Sequence, residues 1–310
     1  MKEKINCSIG VIVYNEAANI GKLLDALLTQ QLQQVVIEDI FVVSSACTDG
    51  TDDIVRKYCE KHPKIKLITE PERRGKSSAI NKFIEASKSE ILVLESGDTI
   101  PAKDTVEKLV VPFLDDKVGM SGGRPTPEND PKTFVGYSVN LLWDLHHEMA
   151  LISPKLGEMV AFRRVFKQIP PESAVDEASI EAIMKDKGLE LKYIPDAIVH
   201  NKGPENISDF IKQRRRIETG HLWLKKFQEY SVASQDSNIL IKLALNEIRK
   251  NPGKIFFLIG TAFIEIWSRF LGCYDFKIKK KNPFKWEIAD STKNLKINTE
   301  EETKNDRINS

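Results

Sequence analysis

Three groups of charged and polar residues have the types and spacing needed for chemistry. Glu95 and Asp98 follow an apolar segment, Asp176 and Glu177 are adjacent, and Gln213–Arg216 belongs to a basic helical segment. Carboxylates bind hard divalent cations and accept protons, and a guanidinium makes forked contacts with phosphate. Because residues three apart share one face of a helix, the first and last residues of the third group would act together.

The elements that must position these groups alternate between strand and helix over the first 114 residues. Apolar segments predict strands over 5–13, 38–43, 64–69 and 91–94, and helices over 17–28, 52–62, 77–87 and 103–114. This alternation predicts βαβ units and a parallel sheet. Ligands of such sheets bind beyond the carboxyl ends of the strands, so loops 14–17, 44–51, 70–76 and 95–101 are expected on one rim.

The alternation loosens after residue 119. We predict an exposed strand at 121–125, helices over 134–151, 176–187 and 209–227, and strands over 157–163 and 191–199. We therefore divide the chain into a catalytic domain (1–230), a C-terminal helical segment with a membrane-associated character (231–290) and a disordered tail (291–310).

Six motifs, in this order, resemble those of the family-2 glycosyltransferases, which have the GT-A fold. They are Val11–Glu16, Cys47–Thr51, Arg74–Lys76, Glu95–Pro101, Asp176–Glu177 and Gln213–Ile217. The resemblance is to archaeal and bacterial membrane-associated members that carry a Gln-x-x-Arg-Trp-like motif. It implies an α/β, Rossmann-like nucleotide-diphospho-sugar transferase with a mostly parallel sheet and additional C-terminal helices.

The resemblance implies a metal site after the fourth strand, where the family has Asp-x-Asp. Asp98 matches the final Asp, whereas Ser96 replaces the first, which makes Glu95 a candidate substitute. A His in the region of His200 ligates the cation in some relatives. The implied cofactor is Mg²⁺ or Mn²⁺, which would stabilise the charge that grows on the leaving diphosphate. The alternative is that Asp98 only caps the turn before Pro101.

The catalytic base is implied by an acidic pair that the family places at the start of a helix. The family's pair is Glu-Asp, and here the order is Asp176-Glu177. Position favours Glu177 and chemical type favours Asp176, so both are candidates to take the proton of the acceptor hydroxyl. Alternatively, both acids only complement the helix N-terminus, which contributes about 0.3–1 kcal/mol.

The Gln-x-x-Arg-Trp motif implies that Gln213 binds the acceptor and Arg216 the diphosphate. Ile217 replaces the Trp, which argues against processive polymer synthesis. Arg214 and Arg215 point elsewhere on the helix, and we interpret them as ordinary solvated charges.

The remaining assignments concern the nucleoside and the acceptor. Tyr14, Glu16 and Asp49 match the loops that hold the base and ribose, and Arg74 and Lys76 match the loop beside the diphosphate. The second loop begins Ser44-Ser45 where the family has Asp-Asp, so the donor is left open between a UDP-sugar and a GDP-sugar.

Two further residues are candidates for sugar contacts, His147 with the acceptor and Glu158 with the acceptor or the donor sugar. Glu158 precedes a strand that faces the predicted site, and His147 lies near Trp143 on a predicted helix. The alternative for His147 is a partly buried helical face without a ligand.

The segment 255–272 is the most apolar part of the chain. Glu265 and Arg269 are four apart with the acid first, which predicts an ion pair within a helix. A lysine cluster at 277–285 would attract anionic headgroups. This pattern fits a hairpin packed on the core and an interfacial helix equally, and a full membrane span less well.

Composition excludes several classes of protein. Lys+Arg (46) nearly equals Asp+Glu (45), so a net charge of +1 gives no general attraction to nucleic acid. The four cysteines lack metal-site spacing and fit a reducing compartment, and the charged first six residues lack the apolar core of a secretory signal. We expect a cytoplasmic protein in which 238–285 can attach to, or anchor in, the cytoplasmic face of a membrane.

Together these features predict an inverting, hexosyltransferase-type enzyme that moves a sugar from a nucleotide-sugar donor to a hydroxyl of a glycan or lipid-linked acceptor. Two alternatives stay open. The substitutions at Ser44, Ser96 and Ile217 also fit an inactive nucleotide-sugar-binding or membrane-scaffold protein. A nucleotidyltransferase would require a glycine-rich loop after the first strand, which Tyr14–Glu16 lacks.

Overall fold

The structure is a computed structural model that describes residues 4–235, 237–285, 292 and 295. Apart from Thr292 and Leu295, the predicted disordered tail at 291–310 lies outside the described residues. In the described part of the chain, one sheet has the strand order β3-β2-β1-β4-β7-β6-β8-β5. The strands are β1 (Ile5–Val13), β2 (Val35–Ser45), β3 (Ile65–Glu70), β4 (Ile91–Ser96), β5 (Ile100–Pro101), β6 (Val118–Pro127), β7 (Val160–Arg163) and β8 (Glu190–Asn201).

The pairing confirms the mostly parallel sheet. β1 pairs in parallel with β2 and β4, β2 with β3, and β6 with β8, whereas β7 pairs antiparallel with β4 and β6 and β5 pairs antiparallel with β8. The prediction of an exposed strand at 121–125 was wrong. These residues lie in β6, which is mostly buried because β7 and β8 flank it.

The α-helices of the described residues cover both faces of this sheet and extend beyond it. They are α1 (Ile20–Leu28), α2 (Thr51–Lys61), α3 (Lys76–Ala86), α4 (Thr105–Val110), α5 (Phe134–Ile152), α6 (Asp176–Asp186), α7 (Ile207–Phe227), α8 (Ser237–Lys250) and α9 (Ile255–Lys277). Side chains of β1 alternate between two cores. Val11 packs in the core that contains Leu24 of α1, and Ile12 packs in the core that contains Phe83 of α3. Burial on both faces holds the strand ends, and therefore the loops that follow them, in place.

The C-terminal helix α9 packs one face against α7. A Cβ on Gly272 would lie 2.7 Å from the Arg215 carbonyl oxygen, so the glycine permits this close approach. The predicted pair is confirmed, with Arg269 Nε 2.9 Å from Glu265 Oε1. Arg214 and Arg215 are not the solvated charges that we expected, because α9 supplies them with carboxylates. Arg214 donates two hydrogen bonds of 2.7 Å to Glu265, and Arg215 pairs with Asp275.

Candidate active site

A cavity of about 790 Å³ opens where the carboxyl ends of β1, β2 and β4 meet. The predicted site residues that line it are Tyr14, Glu16, Lys76, Asp98, Glu158, Asp176, Glu177, Gln213 and Arg216. The predicted residues outside its lining are Asp49, Arg74, Glu95, His147 and His200. The fold therefore brings most of the predicted groups, distant along the chain, to one space.

We call six of these lining residues the acidic centre: Lys76, Asp98, Glu158, Asp176, Glu177 and Arg216. Its best-defined contact is the ion pair in which Lys76 Nζ lies 2.8 Å from Glu177 Oε1 and 3.9 Å from Asp176 Oδ2. Lys76 begins α3 directly after Gly75, whose φ of +97° is one that L side chains rarely adopt. Gly75 thus allows the chain to turn into α3 with the ammonium in the cavity.

The two adjacent acids at the start of α6 have different environments. Asp176 is buried and accepts a 2.6 Å hydrogen bond from Ser77 Oγ, and burial raises its pKa in spite of Lys76. Although burial opposes it, the charge of Lys76 and its hydrogen bond lower the pKa of Glu177. The Glu177 side chain keeps 19% of its surface exposed and that of Asp176 keeps 3%, so Glu177 is the more accessible of the two, and its lowered pKa makes it the more readily ionised.

Glu158 is a strained and desolvated carboxylate. Its φ of +57° lies in the left-handed region that few residues other than glycine adopt. Burial, with the charges of Asp98 and Glu177, raises its pKa to about 7, and Asn201 Nδ2 donates to its Oε1 at 3.2 Å. Backbone strain of this kind concentrates at functional sites, which supports a role for this residue beyond packing.

Arg216 supplies positive charge to the same centre. Burial lowers its pKa to about 10, while the charges of Asp176 and Glu177 oppose that shift. Arg216 therefore stays protonated at neutral pH, on the same helix as Gln213.

The loop after β4 brings Asp98 into the cavity. A Cβ on Gly97 would lie only 2.7 Å from Val13 Cγ1, so glycine is needed for this loop to lie against the end of β1. Glu95 is fully buried, and Thr99 Oγ1 hydrogen-bonds its Oε1 while its Oε2 has no described partner. Burial, with the charges of Glu158 and Asp98, raises the pKa of Glu95 well above its usual value.

The carboxylates of the cavity fit a divalent cation that substrate phosphates would also coordinate. Within the described ranges, no group of three or more His, Cys, Asp or Glu residues is spaced to hold a metal by itself. The negative charge of Asp98 nevertheless contributes to the raised pKa of Glu158, and a bound cation would reduce this repulsion between the two carboxylates. Mg²⁺ characteristically uses one or two carboxylates together with substrate phosphates. His200 does not line this cavity, and its Nδ1 lies 2.8 Å from Glu128 Oε1.

The end of the cavity beside Tyr14 contains an aromatic–cation pair. The Arg73 guanidinium lies 4.0 Å from the centre of the Tyr14 ring, and both residues line the cavity. Arg74 is exposed and pairs with Glu72 at 2.8 Å.

Asp49 connects two loops, since Ala17 N donates to its Oδ2 at 3.0 Å and Thr51 N to its Oδ1 at 3.1 Å. Although burial opposes it, these hydrogen bonds lower the pKa of Asp49.

The cavity also contains residues that the sequence did not single out. His147 hydrogen-bonds the Tyr193 hydroxyl at 2.9 Å, and its neighbour His146 lines the cavity instead. Ile217 lines the cavity, whereas Trp223 stacks on Phe227 outside it. Arg73, Lys155, Asn282 and Pro283 also line the cavity and had no sequence signal, whereas Lys281 and Lys285 belong to the cluster that was predicted to attract headgroups. The sequence does not show which Lys or Arg side chain faces a cavity. Packing of α9 against α7 brings in the residues that follow α9, namely Lys281, Asn282, Pro283 and Lys285.

A comparison with protein families matches residues 8–169, about half of the chain, to the model "Glycosyl transferase family 2". The chain is 26% identical over 240 residues to the probable glycosyltransferase YdaM of Bacillus subtilis, covering 72% of this chain and 57% of that protein. It is 33% identical over 117 residues to the glycosyltransferase AglE of Haloferax volcanii, covering 38% of each. The chain thus matches little more than half of the length of one relative and less of the other.

Among solved structures, the chain is similar to a mannosyltransferase from Pyrobaculum calidifontis in complex with GDP-Man and Mn²⁺. The TM-score is 0.61 at 22% sequence identity, covering 92% of this chain and 89% of that one. This similarity shows a shared fold, the GT-A fold that the motifs predict.

Proposed function

This chain belongs to glycosyl transferase family 2, and we propose that it transfers a sugar from a nucleoside-diphosphate donor to an acceptor hydroxyl with inversion of configuration. The observation that carries the proposal is the acidic centre, where Lys76, Glu177 and Arg216 meet in a cavity at the rim of the sheet. This rim is where α/β sheets bind nucleotides.

The reaction is a direct displacement at the anomeric carbon. The acceptor oxygen forms a bond to that carbon, the bond from the carbon to the diphosphate oxygen breaks, and the hydroxyl proton passes to a carboxylate. We assign the carboxylate to Glu177, because it is ionised and more exposed to the cavity than Asp176. Attack from the face opposite the leaving group inverts the configuration.

Lys76 and Arg216 are the cations that would bind the diphosphate. Lys76 donates to Glu177 Oε1 at 2.8 Å and pairs with its charge. A diphosphate would compete for this ammonium, which would leave the Glu177 carboxylate free to accept a proton. Arg216 would add a forked contact to the same phosphates.

Asp98, with Glu158 nearby, would hold a divalent cation. When bound, Mg²⁺ or Mn²⁺ would stabilise the charge of the departing diphosphate. The excess of carboxylates over cations around Glu158 supports this assignment, and the similar mannosyltransferase was solved with Mn²⁺ and GDP-Man. The donor is a UDP-sugar or a GDP-sugar, and Tyr14 with Arg73 is the candidate platform for its base.

The acceptor side of the proposal is a glycan or lipid-linked molecule at a membrane surface. Among the described residues, only the helix at 252–277 is long and apolar enough to cross a membrane, and little of it is buried. Phe256 is 83% exposed and Phe263 is 70% exposed, on the face of α9 that points away from α7. This pattern fits an interfacial helix on the cytoplasmic face, with the exposed Lys277, Lys279 and Lys280, which do not line the cavity, near anionic headgroups.

Ligand-induced thermal stabilisation tests the donor assignment. Wild-type protein is titrated with UDP, GDP and their sugars, with and without Mn²⁺ or Mg²⁺, since a ligand that binds only the folded state raises its apparent stability. We expect one nucleotide series to stabilise the protein only with metal. Asp98→Ala should abolish the metal-dependent part, and the exposed control Asp53→Ala should retain it. Metal-dependent stabilisation that survives Asp98→Ala would exclude Asp98 as a ligand.

A further inference from the structure

The same cavity continues past the acidic centre into a second region between α5, α7 and α9, which we call the inner lobe. Its charged and titratable lining residues are His146, Lys155, Arg214, His221 and Arg269. The positive charges of Lys155 and Arg214 both act on His146 and on His221, which shows that these groups are close together. The acidic centre is rich in carboxylates, whereas this region is rich in cations.

Lys155 is the cation of the inner lobe that lacks an ion-pair partner. No described residue forms a hydrogen bond or salt bridge with its ammonium, and burial, with the charge of Arg214, lowers its pKa. Two acids act on it from a distance, but both are engaged. Glu265 binds Arg214 and Arg269, and Glu181 accepts hydrogen bonds from Leu156 N and Tyr230. A desolvated ammonium without a paired anion is costly, and an anionic ligand would offset the cost.

His146 provides a second, independent observation. It is only 7% exposed and lines the inner lobe; its ring donates a hydrogen bond to the Lys155 backbone, and its Nδ1 has no described partner. Burial, with the charge of Lys155, lowers its pKa to about 3, so the ring is neutral. The Lys155 backbone accepts the single N–H of this neutral imidazole, so Nδ1 is an acceptor, which the P–OH of a phosphate monoanion could satisfy; buried polar atoms without a partner are uncommon in folded proteins. The unpartnered nitrogen therefore points to a ligand.

One wall of the inner lobe is apolar. Val139, Leu142, Leu145 and Met149 line it from α5. Helix α5 ends at Ile152, where Leu151 and Ile152 are exposed, and it also packs against α9. A ligand with an anionic group and an apolar part would satisfy both the cations and this wall.

We propose that the inner lobe binds a phosphate group of the acceptor through Lys155 and His146, and that the acceptor is an amphiphile whose apolar part lies along α5. The inference rests on the proposed transferase function and specifies the class of acceptor. The phosphate is recognised beside the acidic centre, so the acceptor hydroxyl would lie towards Glu177. Arg214 and Arg269 stay paired with Glu265 and add positive potential.

The first test measures the affinity for inorganic phosphate from thermal shifts at constant ionic strength, in the presence of Mn²⁺ and saturating UDP or GDP. Lys155→Met should bind phosphate ~10-fold to 100-fold more weakly than wild type, as expected for loss of a charged hydrogen bond. Lys155→Arg, which keeps the charge, and Lys192→Met, at a surface lysine paired with Asp115, should retain the affinity. Equal phosphate affinity of Lys155→Met and wild type would overturn the proposal.

The same titration separates this inference from the donor assignment. Lys155→Met should keep the nucleotide-induced shift, because Lys155 lies in the inner lobe and not at the nucleoside end. If neither nucleotide shifts wild type, the donor assignment fails, and the phosphate comparison is then made without nucleotide.

The second test identifies the source of the phosphate with three probes below their micelle concentrations. They are lysophosphatidic acid, glycerol 3-phosphate and a monoacylglycerol, and all three carry a hydroxyl. We expect lysophosphatidic acid to bind most tightly and Lys155→Met to reduce its affinity to that of the monoacylglycerol. Equal binding of the monoacylglycerol and lysophosphatidic acid to wild type would exclude phosphate recognition. Equal binding of glycerol 3-phosphate and lysophosphatidic acid would exclude the apolar part.

Discussion

The acidic centre and the inner lobe lie in one cavity and have opposite electrostatics. In the acidic centre, four carboxylates face two cations, and the crowding raises the pKa of Glu158 to about 7. In the inner lobe, cations dominate, and burial with nearby positive charge lowers the pKa of His146 to about 3. One region favours the binding of a cation and the other the binding of an anion.

The difference follows from which element faces each region. The acidic centre combines the loop after β4, the starts of α3 and α6 and Glu158 before β7 with Arg216 of α7. The inner lobe lies between α5, α7 and α9 with Lys155 in the loop after α5, and Glu265 of α9 is already bound by two arginines. Among the described residues, no carboxylate therefore pairs with Lys155, although the neighbouring acidic centre is rich in carboxylates. Under the two proposals, the acidic centre binds a metal–diphosphate donor and the inner lobe binds an acidic acceptor.

The largest expected effect separates the two acids of the acidic centre. Glu177→Gln should lower turnover by ~10²–10⁴-fold, the usual contribution of a general base, while donor binding persists. Asp176→Asn should have a smaller effect, because Asp176 is buried and bonded to Ser77. Steady-state rates with calorimetric donor affinities provide the measurement. Full activity in Glu177→Gln would refute its assignment as base, and a larger loss in Asp176→Asn would transfer that role to Asp176.

A second prediction concerns the pH dependence of stability in the acidic centre. The folded-state pKa of Glu158, about 7, lies above the ordinary value of 4.5. A raised pKa contributes to the free energy of unfolding fully below pH 4.5. This contribution, about 3 kcal/mol in total, is lost as the pH rises from 4.5 through 7. Urea unfolding without metal should show Glu158→Gln losing less stability than wild type between pH 5 and 7.5. Parallel slopes would show that Glu158 is not desolvated by its neighbours.

The inner lobe should show the opposite slope. The folded-state pKa of His146, about 3, lies below the ordinary value of 6.5. A depressed pKa contributes stability that is present above pH 6.5 and is lost as the pH falls towards 3, or about 2 kcal/mol between pH 6.5 and 5. In the same unfolding series, His146→Gln should flatten this acid limb, and His62→Gln, outside the cavity, should not. If both variants keep the wild-type slope, the inner lobe does not hold a neutral imidazole.

The smallest effect concerns the membrane surface beside the inner lobe. Phe263→Ser should reduce binding to vesicles that contain anionic phospholipid about tenfold, since burying a Phe side chain is worth about 1.5–3 kcal/mol. Leu114→Ser, at an exposed leucine away from α9 (61% exposed), is the matched control. Co-sedimentation measures the bound fraction. A wild-type chain that stays in the supernatant would contradict the interfacial role of α9.

The strands and helices before residue 114 were largely predictable, because their apolar residues repeat with the period of each element. Examples are the buried Ile20, Leu23, Leu24 and Leu27 of α1 and the continuous apolar residues of β1. The rim position of Asp98 followed from the same pattern, since a loop after a parallel strand lies at a known edge. The local sequence could not indicate that Arg73, and not Arg74, faces the cavity, because that choice depends on the Tyr14 ring across the rim.

By itself, the sequence determined the order of the elements, the family, and the residue types placed at the strand ends, since these depend on local periodicity and short motifs. Tertiary structure alone decided which charges are compensated. Glu265 and Asp275 of α9 pair with Arg214 and Arg215, while no described residue pairs with the Lys155 ammonium. The physical reason is that desolvation and ion pairing depend on distances between groups far apart in the chain, and these distances exist only after α5, α7 and α9 have packed together.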